Sequence, residues 1–260
     1  MGADAMTATV RAHAAQPADG RAEHVLPPDV ILLKVADGSA RLLDMAGSFH
    51  AVSEVGARML QETLAHGVDT AATRIAADYG VDRQRVRDDI AVFLRALEKQ
   101  RLICSRRNVR RGGKPGPARL VLLPLLRAAH RCKGTAARAR MLLIIARLSF
   151  GLLGWTRAIA IWKEAHAHLP ARQPAASDTE VIEALDKAVG SAAASYPVVV
   201  ECKERALCAW SLARAAGLEA ALVVGVEVYP MAGHCWCEVG TRVVGDSRER
   251  AVWFAPVGRW

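Results

Sequence analysis

No apolar run in this 260-residue chain approaches the roughly 18 to 20 residues that a membrane span requires. The best stretch, 141–154, is short and carries Arg147, so no membrane insertion is expected. The N-terminus lacks the apolar core of a secretory signal: 1–28 is Ala-rich but broken by Asp4, Arg11, His13, Pro17 and Asp19. A cytoplasmic chain is therefore the default expectation. Internal repeats are absent. Zinc-knuckle spacing is missing too, because Cys235-x-Cys237 is not Cys-x2-Cys and no second pair accompanies it. Neither a metal nor any other cofactor is expected. The six cysteines (104, 132, 202, 208, 235 and 237) are read as thiols, serving as core fillers, ligands or nucleophiles.

Acidic residues are missing altogether from 101–140, which holds twelve Lys/Arg. The net charge is +9, so the other 220 residues carry a net charge of −3. The chain is thus not basic all over; it has one basic segment between two near-neutral parts. Such a segment can meet nucleic acid, nucleotide, an acidic peptide or a partner, or it can be a solvated linker leading into an arginine-faced helix. With 52% hydrophobic and 23% charged residues, the chain has a globular composition. Its length suits one large domain or two ordinary ones.

Residues 1–24 show no period and read as a disordered tail. Short apolar runs at 30–35 and 40–45 flank an Ala36-Asp37-Gly38-Ser39 turn, a hairpin signal. A third strand is predicted at 48–52. Ser53 then caps a helix with Val55, Met59, Leu60 and Leu64 on one face. Asp69 opens a second helix, burying Ala72, Ile75 and Ala76, and Asp82 opens a third, with Val86, Ile90, Phe93, Leu94 and Leu97 recurring at helical spacing. Leu102-Ile103 ends the unit as a short strand. This order describes an α+β, winged-helix-like module over 25–104. A basic Pro/Gly linker, 105–117, separates it from a second domain, 118–260. There, helices are expected at 120–130, 136–151, 155–168, from 177 and from 202 to 216. Strands follow at 219–228, 233–240 and 241–245.

Cys202 stands at the start of a predicted helix, right after an extended run. Unpaired N–H groups and the helix dipole at that position stabilise a thiolate. A lone cysteine is more often a packed core residue, and what changes the reading is its company. His234 lies on the strand that follows, and Asp246 lies on or just past the next one. If the two strands pair, Asp246 can hold the imidazole while its other nitrogen takes the thiol proton. Cys208 is six residues beyond Cys202 and points elsewhere. Cys235 and Cys237 share one strand face, His234 and Trp236 the other. From the residues alone, this constellation is a thiol hydrolase or an acyl-transferase.

The stretch 178–257 resembles the transglutaminase-like (papain-like) cysteine peptidase of lasso-peptide biosynthesis. The resemblance rests on Cys202-Lys203-Glu204-Arg205-Ala206-Leu207, on Gly217-Leu218-Glu219-Ala220, on Val224-Gly225-Val226, and on Gly233-His234-Cys235-Trp236-Cys237-Glu238 with Asp246. Family members usually read Cys-Leu-x-Arg-Ser-Leu and His-Ala-Trp-Val-Glu, so Lys203, Ala206, Cys235 and Cys237 depart from the pattern without replacing a catalytic residue. Residues 25–103 resemble the PqqD-like precursor-recognition element. Together the two parts look like the fused B protein of a lasso-peptide cluster. The resemblance implies leader binding, cleavage of the leader–core bond by Cys202, His234 and Asp246, and an asparagine-synthetase-like cyclase as partner. An exposed edge at Phe49 and Ala51, beside Val86, Ile90 and Phe93, suits an added leader strand; the last three equally suit a helix's core face. The rival functions are transglutaminase- or arylamine-acyltransferase-like acyl transfer and DNA binding by the winged helix. Against DNA, residues 82–99 balance to only +1, and aromatic and basic residues do not interleave; no nucleic-acid partner is expected.

Overall fold

The computed structural model describes residues 11–13, 23–107, 116–228 and 230–260, with only the backbone of 11–13 and 228. The chain divides between Lys114 and Pro115 into two compact units.

In the first unit, strands β1 (Arg11–His13), β3 (Val30–Lys34), β4 (Ala40–Asp44) and β5 (Ser48–Val52) form an antiparallel sheet in the order β1-β3-β4-β5. A separate pair joins β2 (His24–Val25) to β6 (Cys104–Ser105). The β3–β4 turn closes as the Asp-Gly signal predicts: Gly38 has φ +84°, and Asp37 accepts from the Ser39 N–H at 2.8 Å. Helices α1 (Glu54–His66), α2 (Val68–Tyr79) and α3 (Arg83–Lys99) follow. Ser53 accepts from the Gly56 N–H, and Asp82 from the Arg85 N–H, so two of the helix starts are capped by side chains. Leu32, Leu42, Leu60, Ile75, Ile90 and Leu94 meet in one core.

Two expectations need correction here. Residues 11–13 form a strand against β3, so the reading of 1–24 as a disordered tail fails for them, as it does for His24 in β2; 1–10 and 14–22 lie outside the described residues. Leu102 and Ile103 are core residues, and the short strand begins two residues later than expected, at Cys104.

The second unit holds α4 (Ala118–Arg131), α5 (Thr135–His166), α6 (Thr179–Ala194) and α7 (Cys202–Ala215). A sheet follows, built from β7 (Ala221–Val228), β8 (Met231–Val239), β9 (Arg242–Val244) and β10 (Ala255–Arg259), with a short helix α8 (Arg248–Ala251) before the last strand. The two helices expected at 136–151 and 155–168 meet inside α5 at Gly154, whose φ of +72° breaks the helical path. By length and composition α5 is a candidate membrane span, but half of its most apolar window is buried within the unit. It is a core helix: Leu142, Leu143 and Trp162 are fully buried, and the Trp162 indole donates to Ser149 at 3.0 Å.

The sheet order is β10-β7-β8-β9, all antiparallel. The apolar β7 is central, as its composition requires. β10 is the strand of this sheet that sequence patterning missed. Pro256 and Gly258 within it argue against a strand, yet an edge position tolerates proline, and the register shifts between these two residues.

Candidate active site

Cys202 is the first residue of α7, with Glu201 before it in extended conformation (ψ 155°). Glu204 is buried, accepts from the Glu201 N–H at 3.0 Å and lies 3.6 Å from Arg147 Nη1. That bond fixes the first turn, and with it the direction in which the thiol leaves the backbone. β8 carries His234, paired with Gly225 of β7. A Cβ on Gly225 would lie 2.7 Å from the Trp236 ring and 2.8 Å from Phe254, so only glycine lets these rings close around the imidazole. The Phe254 ring centroid is 4.9 Å from that of His234, and Trp236 stacks at 6.0 Å.

Asp246 lies just past β9. Its Oδ2 is 2.8 Å from His234 Nε2, and both side chains are nearly buried. The ring N–H is not aligned on that oxygen, so the contact is an ion pair rather than a linear hydrogen bond. His234 also hydrogen-bonds Cys202. With Nε2 turned to the carboxylate, Nδ1 is the nitrogen left for the thiol. The three residues selected from the sequence are thus brought together.

Their electrostatics are mutually supporting. Burial works against a charged imidazole, but the Asp246 carboxylate and the Cys202 sulfur outweigh it and raise His234 to about 9. Burial likewise opposes a thiolate at Cys202. His234 and the N–H groups of Cys235 and Lys203 overcome it, holding the thiol below its ordinary value. Asp246 is kept low, against its burial, by His234, by the Ser247 N–H at 2.8 Å and by Arg205. Both shifts favour a thiolate–imidazolium pair. Iodoacetamide alkylation of Cys202 is therefore expected to be fast at neutral pH. Its acid limb should lie below the ordinary thiol range, because acid protonates the thiolate, and a second inflection near pH 9 should mark loss of the imidazolium proton. A single titration near pH 9, as for a free thiol, would refute the pair.

Three other thiols of this unit are excluded by burial. Cys208, Cys235 and Cys237 are each buried, and desolvation pushes all three thiols up. They are core fillers. Among the described residues no group of three or more His, Cys, Asp or Glu is arranged to hold a metal ion. Glu238, the alternative partner for His234, is engaged elsewhere: it accepts from the Trp236 indole at 2.8 Å and from Arg259 at 2.6 Å.

Three supporting roles were not legible in sequence. Asp186 on α6 accepts from the Gly245 N–H at 2.7 Å, anchoring the residue before Asp246. Gly245 itself has φ +80°, and a Cβ there would come within 3.0 Å of Val189 and 3.2 Å of Ala209. Arg205, one turn beyond Cys202, supplies positive charge to Asp246. Asp186 lies 59 residues from its partner, a spacing that no local pattern encodes.

In the first unit, among the described residues, β5 pairs on one side only, with β4. Phe49 is half-buried there and Ala51 exposed. Val86 and Ile90 are sealed in the core at 4% and 0% exposure, so their reading as leader-contacting residues is withdrawn. The cause is the apolar stripe of α3, which turns Val86, Ile90, Leu94 and Leu97 inward. Phe93, one position off that stripe, is only partly buried and packs at its rim, near Gly56.

Residues 141–259 match the family model of the transglutaminase-like superfamily. Residues 29–103 match that of coenzyme PQQ synthesis protein D, PqqD. No curated protein and no solved structure shows a significant match to the chain. The thiol, imidazole and carboxylate lie within the first match, and the open β5 edge lies within the second. The chain thus carries a PqqD-like module followed by a transglutaminase-like domain.

Proposed function

We propose that this protein is the leader peptidase of lasso-peptide maturation: it binds the leader of a ribosomally made precursor and hydrolyses the leader–core bond. The observation that carries this reading is the Cys202–His234–Asp246 constellation in a chain that also holds a PqqD module. The leader adds as a strand along β5, with Phe49, Ala51 and Phe93 beside it. The Cys202 thiolate then attacks the scissile carbonyl carbon. His234 passes its proton to the departing amine of the core, leaving the leader as a thioester on sulfur. Water, deprotonated by His234, hydrolyses the thioester and regenerates the thiol. The freed amine goes to an asparagine-synthetase-like cyclase, which closes the macrolactam.

DNA binding is disfavoured by α3 itself, where Arg83 and Arg87 lie 3.9 and 3.3 Å from Asp69. Mass spectrometry of a candidate precursor incubated with the protein separates the remaining readings. One cut at the leader–core bond supports the peptidase. An acylated amine would instead indicate acyl transfer, and an unchanged peptide a binding scaffold.

The tether has its own consequence. A short linker holds bound leader near the thiol at an effective concentration commonly in the millimolar range. At micromolar precursor, the 118–260 fragment is expected to cleave on the order of 10²-fold more slowly than the full chain. The deficit should vanish at millimolar precursor. Equal rates at micromolar precursor would refute this division of labour.

A further inference from the structure

The basic segment 101–140 takes no part in the chemistry above, yet part of it builds a cavity. At the far end of α7, where α4, α5 and α7 all terminate, lies a pocket of about 610 Å³, within the range of small-molecule sites. Arg127, His130, Arg131 and Arg138 line it from the basic segment, and His166 and His168 from the end of α5 and just beyond. No acidic residue lines it, and none of the three arginines has a carboxylate within 4 Å among the described residues.

Part of this charge answers the helix ends. Arg138 donates to the Cys132 carbonyl at 2.9 Å, and three helix C-termini contribute roughly half a negative charge each. That offsets about one and a half of three positive charges. The remainder is a positive excess, tempered at Arg127 by the charge of Glu164.

The wall behind it also has an unmet demand. His166 Nδ1 lies 2.8 Å from the Trp162 carbonyl, which can only accept, so that nitrogen carries the proton and Nε2 is bare. His166 Nε2 then accepts from His130 Nε2 at 3.1 Å and from the Ser211 hydroxyl at 3.0 Å. His130 is thereby fixed as the Nε2–H tautomer, leaving Nδ1 a buried lone pair with no donor.

We propose that this cavity is a binding site for a small phosphate-class oxyanion, held by the guanidinium groups of Arg127 and Arg131. Guanidinium forks match phosphate geometry. Ser211 is nine residues along α7 from Cys202, about 13 Å by helical rise, so this ligand is not the scissile peptide.

The test is thermal unfolding of the full-length protein at constant ionic strength, titrated with inorganic phosphate, pyrophosphate or chloride. Phosphate or pyrophosphate should raise Tm by a few degrees along a saturating curve, while chloride should not. Whichever of the two binds more tightly separates a single phosphate group from a phosphorylated chain as ligand. Arg127→Gln with Arg131→Gln should abolish the rise, while Arg127→Lys with Arg131→Lys should retain part of it. Both positions are exposed, so the variants are expected to fold with wild-type Tm in chloride. An equal rise in chloride, no rise at 10 mM phosphate (roughly ten times a weak millimolar Kd), or an undiminished rise in the Gln variant would overturn the site. None of these readouts depends on peptide cleavage.

Discussion

Cys202→Ala should leave no measurable cleavage of the precursor, a loss on the order of 10⁴-fold or more, while affinity for the leader stays within a few-fold. The size of the loss follows from burial of the alternatives. Cys208, Cys235 and Cys237 are sealed, and their thiols are raised by desolvation, so none can replace the missing nucleophile. The constancy of binding follows from the separate core of the first unit, to which Cys202 does not belong. Calorimetry with the isolated leader and a cleavage assay on the same preparation check both halves. Cleavage near the wild-type rate would remove Cys202 as nucleophile. A large loss of leader affinity would instead place the leader on the second unit.

His234→Ala is expected to cost nearly as much, because a thiolate and its imidazolium act as one device and neither half works alone. The substitution also removes the main support for a low Cys202 pKa. Burial, which opposes the thiolate, is then left to dominate, and the alkylation profile should move towards or beyond the ordinary thiol range. Asp246→Asn should cost less, roughly 10²-fold, because the amide keeps the size while losing the charge. The sign of its effect on pH is definite. Without the carboxylate, the factor that most raises His234 is gone, so the inflection near pH 9 should shift downward. If Asp246→Asn matched wild type in both rate and profile, Asp246 would lose its role as orienter, and Glu238 and Glu249 would have to be tested.

The elements that position the site were legible wherever the signal is local. The helix start at Cys202, the apolar run of β7, and the turn at Gly240 each depend on neighbours within a few residues, and each is found in the structure. β10 was not legible, because Pro256 and Gly258 suppress its strand signal and only an edge position beside β7 makes them acceptable. On α3 the period was read correctly, but its meaning was divided. Val86, Ile90 and Phe93 fit both a core stripe and a leader groove, and only packing against the sheet separates the first two from the third.

The sequence by itself determined which thiol could be a nucleophile and which histidine and carboxylate could serve it. Helix-start chemistry and strand alternation are consequences of backbone geometry within a few residues. Tertiary structure alone decided how that carboxylate is held and which of the remaining polar groups found partners. The Asp186–Gly245 bond spans 59 residues, and the His130–Ser211 contact spans 81. Contacts at such separations exist only once packing has brought distant chain segments together, so no local pattern in the sequence announces them.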